Sequence, residues 1–394
     1  MNHSALDFLF SATGQQWLAD TAVALREQTH LAVATHLRQQ LTPDQTHAIL
    51  ETVLLREKAS RKFSRASQMY FTRDGLEQAS GEVVAEYRAV RFARAGIRQV
   101  ADLGCGLGGD AVALTAVAEV IGVDRDDIRL RLAQKNVAAY GHEDRFTAVQ
   151  ADLHTWSARS ALQALFFDPA RRDEHGRRLY SVQAYQPPLS LWETWRTRTP
   201  HTAVKISPSV AYEELPPHAE AEFISVAGEV KECLLWTGDL HSGVARRATL
   251  LPSGATLTTA VLPPEIPIGP PHAFLYEPDG AVIRAHLVET LAAQLGAHKL
   301  SDEIAYLTAD ERHETPFARC FAVWDAFPFQ LKRLRHYLRE RQVGQVVVKK
   351  RGSPLEPDWL RQKLRLKGDP AVTAVVFLTQ LGSEPLVVVG EEVG

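Results

Sequence analysis

Hydrophobic positions three or four residues apart run through the first 90 residues and predict a set of helices. The segments are SALDFLF, QWLADTAVAL, HLAVATHLRQQ and HAILETVLLREKASRKF, and none of them contains glycine or proline. In LTPDQ, Thr42 is a good helix N-cap and Pro43 suits the first helical position, so we expect a helix to begin there. The pattern predicts an N-terminal helical domain over residues 1–80.

From residue 81 onward, apolar runs of strand length alternate with helical segments. This alternation predicts an α/β fold with a Rossmann-like, mostly parallel sheet over residues 81–262. The segment PPEIPIGPP, residues 263–271, contains five prolines, which leave no room for regular strand pairing. We therefore predict a proline-rich linker there.

Residues 272–394 are predicted to form a separate α+β domain. Its segments FAVWDAF, a basic helix ending near Gln342, QVVVKK, PDWLRQKLRLKG, TAVVFLT and PLVVVG give the order β-α-β-α-β-β. Over residues 320–392 this order resembles a ferredoxin-like or THUMP-like module. Such modules are attached to RNA-modifying enzymes, so the resemblance implies that this domain helps to hold RNA.

The segment VADLGCGLGGD, from Val100 to Asp110, carries the most specific chemistry of the chain. An apolar run ends in an aspartate, four glycines follow within six residues, and a helix-forming segment resumes. The glycines also fit G-x-G-x-x-G, which leaves a dinucleotide site and an S-adenosylmethionine site as alternatives. The aspartate at 102 favours S-adenosylmethionine, because a carboxylate attracts an ammonium and a sulfonium and has no use beside a pyrophosphate. The predicted cofactor-binding residues of this turn are Asp102, Gly104, Cys105, Gly106 and Gly108.

Three later strands also end in an aspartate: Asp124 in EVIGVD, Asp152 in RFTAVQAD and Asp168 after ALFF. In an open α/β sheet the ligand crevice lies outside the carboxyl ends of the strands. Asp124 is predicted to accept hydrogen bonds from ribose hydroxyls, and Asp152 from an adenine amino group. One or two of these aspartates would fit equally well as helix N-caps. Four of them together with the glycines favour a site for S-adenosylmethionine.

Residues from about 64 to 240 resemble the class I S-adenosylmethionine-dependent methyltransferases. Within them, DLGCGLGGD, VIGVDRDDIRLRLAQKNVAAYG and VQADL are most similar to RNA guanine-N2 methyltransferases of the trimethylguanosine-synthase type. FSRASQMYFTRDGLEQASGEVVAEYRA resembles the segment that precedes their catalytic core, and the resemblance implies that it closes over the cofactor.

The fourth strand runs into Asp168-Pro169-Ala170-Arg171, which is similar to the acidic-Pro-Pro-aromatic turn of exocyclic-amine methyltransferases. The resemblance implies that the carboxylate of Asp168 and the carbonyl of Pro169 accept hydrogen bonds from the target amino group. Arg171 stands where those enzymes carry an aromatic residue, and a guanidinium can stack on a base or bind a phosphate. The predicted catalytic residues are therefore Asp168, Pro169 and Arg171.

An aromatic platform for the target base would have to come from elsewhere, and Tyr180, Tyr185 and Phe71 are the candidates. The DPAR turn also resembles the fourth motif of RNA uracil-C5 methyltransferases. Those enzymes form a covalent adduct through a cysteine after the fifth strand, whereas KISPSV at residues 205–210 contains none. Covalent C5 chemistry is therefore disfavoured.

The distribution of charge along the chain, more than the net charge, indicates which partners the protein binds. The net charge is −3, yet residues 331–367 hold twelve Lys and Arg against three Asp and Glu, a plausible phosphate-binding surface. A second basic run lies in the N-terminal helices at Arg56, Lys58, Arg61, Lys62 and Arg65. We expect RNA, tRNA or rRNA, to contact these two stretches.

The remaining composition narrows the class of protein. No apolar run approaches the roughly 20 residues that a membrane helix needs, and MNHSALDFLF lacks the basic start of a secretory signal. We therefore expect a cytoplasmic protein without a membrane partner. The three cysteines, Cys105, Cys233 and Cys320, are too few and too widely spaced for a disulfide framework or a zinc cluster, and no metal is expected.

The sequence thus predicts an S-adenosylmethionine-dependent methyltransferase that modifies a base nitrogen in RNA. Two alternatives stay open at this point. The methyl acceptor could be a protein or a small molecule, or the chain could be an RNA-binding protein that retains S-adenosylmethionine as a structural ligand.

Overall fold

The computed structural model describes residues 2–157, 162–170, 177, 179, 181–259, 263, 265–382 and 384–393. The chain divides into two compact units. Unit 1 comprises Met1–Ala219 and Leu234–Ser242, and unit 2 comprises Glu220–Cys233 and Gly243–Gly394. Residues 260–262 and 264, around the start of the predicted linker, lie outside the described residues. The finer domain boundaries at residues 80/81, 262/263 and 271/272 stay predictions.

The N-terminal segment of unit 1 is helical, as its apolar spacing predicts. The helices of this unit are α1 (His3–Phe10), α2 (Ala12–Glu27), α3 (His30–Gln40), α4 (Pro43–Ala59), α5 (Arg73–Gln78), α6 (Glu82–Arg94), α7 (Gly109–Thr115), α8 (Asp127–Ala138) and α9 (Leu189–Arg196).

The start of α4 confirms the helix-capping prediction. The Thr42 hydroxyl accepts a hydrogen bond from the backbone N–H of Gln45, and the Gln45 side chain accepts one from the backbone N–H of Thr42. This reciprocal pair satisfies two amides that would otherwise lack a partner in the helix. Pro43 then occupies the first turn, as expected.

Helices α1 to α4 share one apolar core with two residues of the sheet-forming part of unit 1, Leu107 and Leu132. A buried polar residue strengthens this junction. The Asn136 side chain of α8 donates to the carbonyls of Tyr70 and Leu107 at 2.9 and 2.8 Å, and its Oδ1 accepts from the Tyr70 N–H at 2.7 Å. Because a buried amide that lost these partners would be costly, Asn136 fixes the segment before α5 against the glycine turn.

The parallel sheet of unit 1 follows the predicted alternation. Its strands are β1 (Gln99–Leu103), β2 (Glu119–Asp124), β3 (Phe146–Gln150), β4 (Ala164–Phe167) and β5 (His201–Ile206). Their order is β3-β2-β1-β4-β5, and each neighbouring pair is parallel. The Rossmann-like arrangement predicted from the sequence is confirmed, and it brings the carboxyl ends of β1, β2, β4 and β5 to one edge.

Unit 2 opens with four strands: β6 (Glu220–Val226), β7 (Glu229–Trp236), β8 (Arg246–Leu251) and β9 (Ala255–Thr258). The last three residues of β7 belong to unit 1. Strands β6 and β8 are parallel, whereas β8 and β9 are antiparallel.

The rest of unit 2 is an α+β layer structure. Its elements are β10 (Phe274–Pro278), α10 (Gly280–Arg284), α11 (Val288–Leu295), β11 (His298–Lys299), β12 (Leu307–Ala309), β13 (Ala318–Pro328), α12 (Leu331–Glu340), β14 (Val343–Lys350), α13 (Pro357–Leu364), β15 (Asp369–Leu381) and β16 (Glu384–Glu392).

The predicted β-α-β-α-β-β order holds from β13 to β16. These strands belong to a sheet with the order β11-β12-β10-β13-β16-β15-β14, so residues 274–309 add three strands that the sequence pattern did not indicate. Alternate residues of β15 serve two cores: Val376 packs with the leucines of α12 and α13, and Phe377 packs with Leu275 on the other face.

None of the helices in the described residues is both long enough and apolar enough to cross a membrane. The cytoplasmic location stays a prediction.

Candidate active site

A cavity of about 970 Å³ lies at the carboxyl ends of β1, β2, β4 and β5 in unit 1. Its walls come from the glycine turn, from the turns after the other strands and from the segment around α5, which the resemblance predicts to close over the cofactor. The lining includes the following residues of these segments: Asp74, Gly75, Glu77, Gln78, Ala79, Ser80, Asp102, Gly104, Cys105, Gly106, Leu107, Gly109, Asp110, Asp124, Asp152, Asp168, Pro169, Ala170 and Lys205.

The glycine turn brings the backbone close to the neighbouring strand end. Gly104 has φ +80°, and a Cβ at this position would lie 3.1 Å from the carbonyl oxygen of Asp168. Gly108 has φ +77° and forms the N-cap of α7; a Cβ there would lie 3.0 Å from the Cβ of Ala133. Both positions therefore require glycine, for the backbone conformation and for the close approach.

Cys105 is buried between these glycines. A Cβ on Gly122 of β2 would lie 3.1 Å from its Sγ, so the thiol fills the space that this glycine leaves. Burial, followed by the negative charges of Asp102 and Asp124, raises the pKa of the Cys105 thiol well above its usual range. A neutral, packed thiol is a poor nucleophile.

Asp124 closes the turn from the end of β2. One carboxylate oxygen accepts from the backbone N–H of Gly106 at 3.0 Å, and the other accepts from the N–H of Asp126 at 3.0 Å. Asp126, not Asp124, is the N-cap residue of α8. Asp124 is therefore not a simple helix cap, and its carboxylate borders the cavity.

Asp152 also borders the cavity but is largely exposed. Its Oδ1 accepts hydrogen bonds from the backbone N–H and from Nδ1 of His154, both at 2.9 Å. These hydrogen bonds, the backbone one first, lower the pKa of Asp152, so the carboxylate is an acceptor at neutral pH.

Asp102 is the most unusual carboxylate of the cavity. It is 1% exposed, and its Oδ2 has no hydrogen-bond partner within the described part of the chain. Burial, followed by the negative charges of Asp110 and Asp168, raises the pKa of Asp102 well above its usual range. A buried acceptor without a partner is costly, so this side chain is suited to a cationic or hydrogen-donating ligand.

The two neighbouring carboxylates are each paired with a buried cation. Arg88 of α6 forms an ion pair with Asp110. Lys205 of β5 donates from Nζ to Oδ2 of Asp168 at 2.6 Å and to Oγ of Ser80 at 3.0 Å. Asp110 and Asp168 thus have cationic partners, whereas Oδ2 of Asp102 has none among the described residues.

Sequence reasoning missed Lys205. The segment KISPSV served only to exclude a catalytic cysteine, and no role was predicted for the lysine at its start. The available signal was a charged residue inside the otherwise apolar strand TAVKIS, directly across from the end of ALFF. The role of Arg88 was missed as well, since a helix of mixed composition such as EVVAEYRAVRFAR does not mark one arginine as buried.

The predicted catalytic turn is only partly described. Asp168 and Pro169 both border the cavity, whereas Arg171 lies outside the described residues, as does Tyr180. The other two candidates for an aromatic platform, Phe71 and Tyr185, are each 1% exposed and belong to the interior. Neither borders the cavity, so the expectation that one of them stacks on a target base is wrong for both.

The basic run of the N-terminal helices is largely engaged in packing. The Arg56 guanidinium donates to the carbonyl of Met69 at 2.8 Å, and Lys62 donates to the carbonyl of Leu76 at 2.7 Å. Arg65 donates to the carbonyl of Ala139 at 2.9 Å. Lys58 and Arg61 are exposed and make no such contact with the part of the chain that the structure describes.

Nine of the twelve cations in residues 331–367 fall into two groups, and the other three lie over aromatic rings. In the first group each cation has a partner: Lys349 pairs with Glu277, Lys350 with Glu356 and Arg361 with Asp358. Arg335 and Arg339 of α12 instead donate to the backbone carbonyls of Lys363 and Arg365 at 2.6 and 3.0 Å. These contacts bring one face of α12 beside the end of α13.

We call the second group the α12–α13 surface. Lys332 lies on the same helical face as Arg335 and Arg339, because it is three and seven residues away. All of these cations except Arg335, which is half-buried, are exposed, and none forms an ion pair with an acidic side chain of the described residues. The surface consists of Lys332, Arg335, Arg339, Lys363, Arg365 and Lys367.

No group of three or more His, Cys, Asp or Glu side chains in the described ranges is arranged to hold a metal ion.

Family models match three parts of the chain. One described as RNA cap guanine-N2 methyltransferase matches residues 97–173, which contain the glycine turn and the first four strands of the sheet. One described as THUMP domain-like matches residues 318–392. A third, described as a domain of unknown function, matches residues 3–59.

Full-length comparisons extend this likeness. Two relatives from Mycobacterium tuberculosis, strains CDC 1551 / Oshkosh and ATCC 25618 / H37Rv, are described as uncharacterised S-adenosylmethionine-dependent methyltransferases. Each is 36% identical over 352 residues, covering 86% of this chain and 95% of the relative. The crystal structure of a protein from Porphyromonas gingivalis W83, described as a candidate methyltransferase, has a TM-score of 0.77 at 22% identity and covers 96% of this chain and 99% of that chain. At this identity the likeness shows a shared fold.

Proposed function

This chain belongs to the S-adenosylmethionine-dependent methyltransferases, and we propose that it methylates an exocyclic amine of a base in RNA. The observation that carries the proposal is Asp168, an aspartate followed by proline, at the mouth of β4 in a cavity that fits the cofactor. S-adenosylmethionine supplies a methyl group already activated by its sulfonium. The protein therefore mainly has to position the acceptor.

The cavity residues fit the cofactor group by group. Asp102 would bind the ammonium, which would give its buried oxygen the partner that it lacks. Asp124 would accept the ribose hydroxyls and Asp152 the adenine amino group. The backbone of Gly104, Cys105, Gly106 and Gly108 would lie against the cofactor, since these positions leave little or no side chain in the way.

Asp168 would orient the acceptor. An amine attached to a base is a weak nucleophile because its lone pair is delocalised into the ring. Hydrogen bonds from its N–H groups to the carboxylate of Asp168 and to the carbonyl of Pro169 would hold the nitrogen in line for transfer. The nitrogen lone pair forms the new bond to carbon, the electrons of the broken S–C bond stay on sulfur, and the nitrogen then loses its proton to water. Arg171 would contact the base or a phosphate of the substrate.

Two observations favour RNA as the source of the base. The family model over residues 97–173 describes an RNA cap guanine-N2 methyltransferase, and the one over residues 318–392 describes a THUMP domain-like module, the type that the sequence resemblance associates with RNA-modifying enzymes. The α12–α13 surface adds exposed positive charge to the second of these segments, and phosphate binding is mainly electrostatic. Since the chain carries a net charge of −3, this local concentration of charge matters more than the sum.

The test is mass spectrometry of nucleosides from tRNA and rRNA, purified separately from cells with and without the gene. We expect one methylated nucleoside to disappear without the gene and to return with the wild-type gene but not with Asp168→Asn. The purified Asp168→Asn protein should still bind S-adenosylmethionine.

Other outcomes would redirect the proposal. An unchanged nucleoside profile in both RNA pools, with binding of S-adenosylmethionine confirmed, would exclude tRNA and rRNA and favour a protein or small-molecule acceptor. Return of the nucleoside with Asp168→Asn would exclude the role given to this carboxylate. Retained RNA binding without any detectable methylation by the wild-type protein would favour a binding protein.

A further inference from the structure

Lys205 is the buried cation of the cavity that no sequence motif marks. It is 3% exposed, and it occupies β5 one residue after Val204, which pairs with Phe167 of β4. Since Asp168 follows Phe167, the parallel register brings Lys205 and Asp168 side by side at the strand ends. The ion pair is therefore built into the sheet and does not depend on a loop.

The contacts of Lys205 divide the Asp168 carboxylate into two unlike oxygens. Oδ2 accepts from Lys205 Nζ at 2.6 Å, whereas Oδ1 accepts no hydrogen bond from the residues that the structure describes. The side chain of Asp168 is 23% exposed and that of Lys205 is 4% exposed. The more accessible part of the pair is thus the carboxylate.

We propose that Lys205 is the positioning residue for Asp168, fixing Oδ2 so that Oδ1 faces the amine of the substrate. This inference rests on the proposed function, in which Asp168 accepts a hydrogen bond from that amine. The ammonium also balances the charge of Asp168 in a cavity that holds Asp102 and Asp110 as well. An uncompensated carboxylate at this place would be repelled by its neighbours and would turn towards water.

A purely structural role is the competing explanation, and Ser80 separates the two. Lys205 also donates to Ser80 at 3.0 Å, which ties β5 to the segment between α5 and α6. If Lys205 served only to hold β5 against this segment, Ser80→Ala would lower the rate of methyl transfer as much as Lys205→Met. If Lys205 acts on Asp168, Ser80→Ala should be much milder.

The first experiment compares maximal rates of methyl transfer from labelled S-adenosylmethionine to bulk RNA from cells that lack the gene. The variants are Lys205→Met, Asp168→Asn, the double variant and Ser80→Ala. Lys299→Met in unit 2 is the matched control, because Lys299 is also buried and pairs with Glu289 at 2.7 Å and Asp302 at 2.8 Å.

We expect Lys205→Met to lower the rate about 10- to 100-fold, the range for loss of one charge-assisted hydrogen bond. The double variant should be no slower than Asp168→Asn, because Lys205 acts through that residue. Ser80→Ala should lower the rate clearly less than Lys205→Met does, and Lys299→Met, outside the cavity, should change it by less than about threefold. A wild-type rate in Lys205→Met, or losses that multiply in the double variant, would overturn the proposal.

The second experiment needs no RNA and separates failure of this inference from failure of the proposed function. S-adenosylmethionine and S-adenosylhomocysteine differ by the sulfonium charge, so their affinity ratio reports the charge of the cavity. Lys205→Met should raise the preference for S-adenosylmethionine, Asp168→Asn should lower it, and the double variant should restore it.

If the wild-type protein methylates no RNA, the proposed function fails. The affinity ratio alone then tests whether Lys205 acts on Asp168. A ratio that stays unchanged in both single variants would overturn the role of Lys205. Calorimetric titration with the two purified ligands measures it, and thermal unfolding of each variant confirms that the fold is intact.

Discussion

The cavity of unit 1 and the α12–α13 surface of unit 2 use charge in opposite ways. In the cavity, several carboxylates lie close together, and the buried side chains of Arg88 and Lys205 each form an ion pair with one of them. On the α12–α13 surface, mostly exposed cations lie together without acidic partners among the described residues. One region holds its buried charges in a fixed arrangement, and the other has most of its charges in contact with water.

The difference follows from the ligands that each region would take. A small cation is recognised by a single buried carboxylate, because burial strengthens the electrostatic attraction. A carboxylate that has no partner in the protein is available for that cation. A polyanion is attracted by several exposed charges, which need no common geometry and act through release of counterions. The same chain can therefore combine a selective acidic site with a basic surface of low selectivity.

Asp102→Asn should have the largest effect, because it removes the charge that we assign to the ammonium of S-adenosylmethionine. Loss of one partner of a buried ion pair costs about 3 kcal/mol or more, so affinity should fall about 100-fold or more. Calorimetric titration measures it, with Asp239→Asn, an exposed aspartate outside the cavity, as the control. Equal affinity in Asp102→Asn and the wild-type protein would contradict the assignment.

The same variant should make the ligand-free protein more stable. Burial and neighbouring carboxylates raise the pKa of Asp102 in the folded state, so the folded protein retains a proton that the unfolded chain loses at about pH 4. The contribution of Asp102 to the free energy of unfolding therefore falls as pH rises from about 4 through the raised pKa, and Asp102→Asn should lack this contribution.

Thermal unfolding of both ligand-free proteins from pH 4 upward measures the effect. The Tm of the wild-type protein should fall relative to that of Asp102→Asn across that range. If Tm changes with pH equally in the two proteins, the Asp102 carboxylate does not destabilise the fold. With ligand at about 100 times its Kd, the wild-type protein should gain about 2.7 kcal/mol, a gain that the variant should lack at the same concentration.

Neutralising three lysines of the α12–α13 surface should have the next largest effect. We expect Lys332→Gln, Lys363→Gln and Lys367→Gln together to weaken RNA binding about 10- to 100-fold at low salt and to reduce the salt slope by about 2 to 3. Filter binding to bulk tRNA over a series of salt concentrations measures both quantities.

The control for that variant changes three cations that already pair with acids. These are Lys231 with Glu229, Lys350 with Glu356 and Arg361 with Asp358. Because their charge is balanced locally, glutamine at these three positions should change the salt slope less. Equal slopes in the two triple variants would show that the α12–α13 surface is not the RNA-binding site.

Gly104→Ala, a second change in the cavity, should have the smallest effect of the three changes. The backbone at +80° disfavours a side chain, and the added Cβ would lie 3.1 Å from the Asp168 carbonyl. We expect a loss of about 1 to 2 kcal/mol in the free energy of unfolding and severalfold weaker binding of S-adenosylmethionine.

Gly254→Ala, at φ +73° with nothing within 4 Å of the added Cβ, should carry only the conformational cost. Chemical unfolding distinguishes the two, and equal losses would show that the approach to Asp168 is unimportant.

Much of the architecture could be predicted because its signals are local. The capped start of α4, the glycine turn after β1 and the β-α-β-α-β-β order from β13 to β16 each depend on a few adjacent residues or on one periodicity. The three added strands between residues 274 and 309 were missed, since two of them are only two and three residues long. Segments of that length contain too few positions for a strand period to be visible.

The sequence by itself determined which carboxylates meet, because parallel strands in one sheet necessarily bring their carboxyl ends to the same edge. Only the tertiary structure decided how they differ. Arg88 reaches Asp110 across 22 positions of the chain and Lys205 reaches Asp168 across 37, while Oδ2 of Asp102 is buried without a partner among the described residues. Pairing and burial depend on which side chains the folded backbone brings within a few ångströms. These distances between side chains cannot be read from the order of residues along the chain.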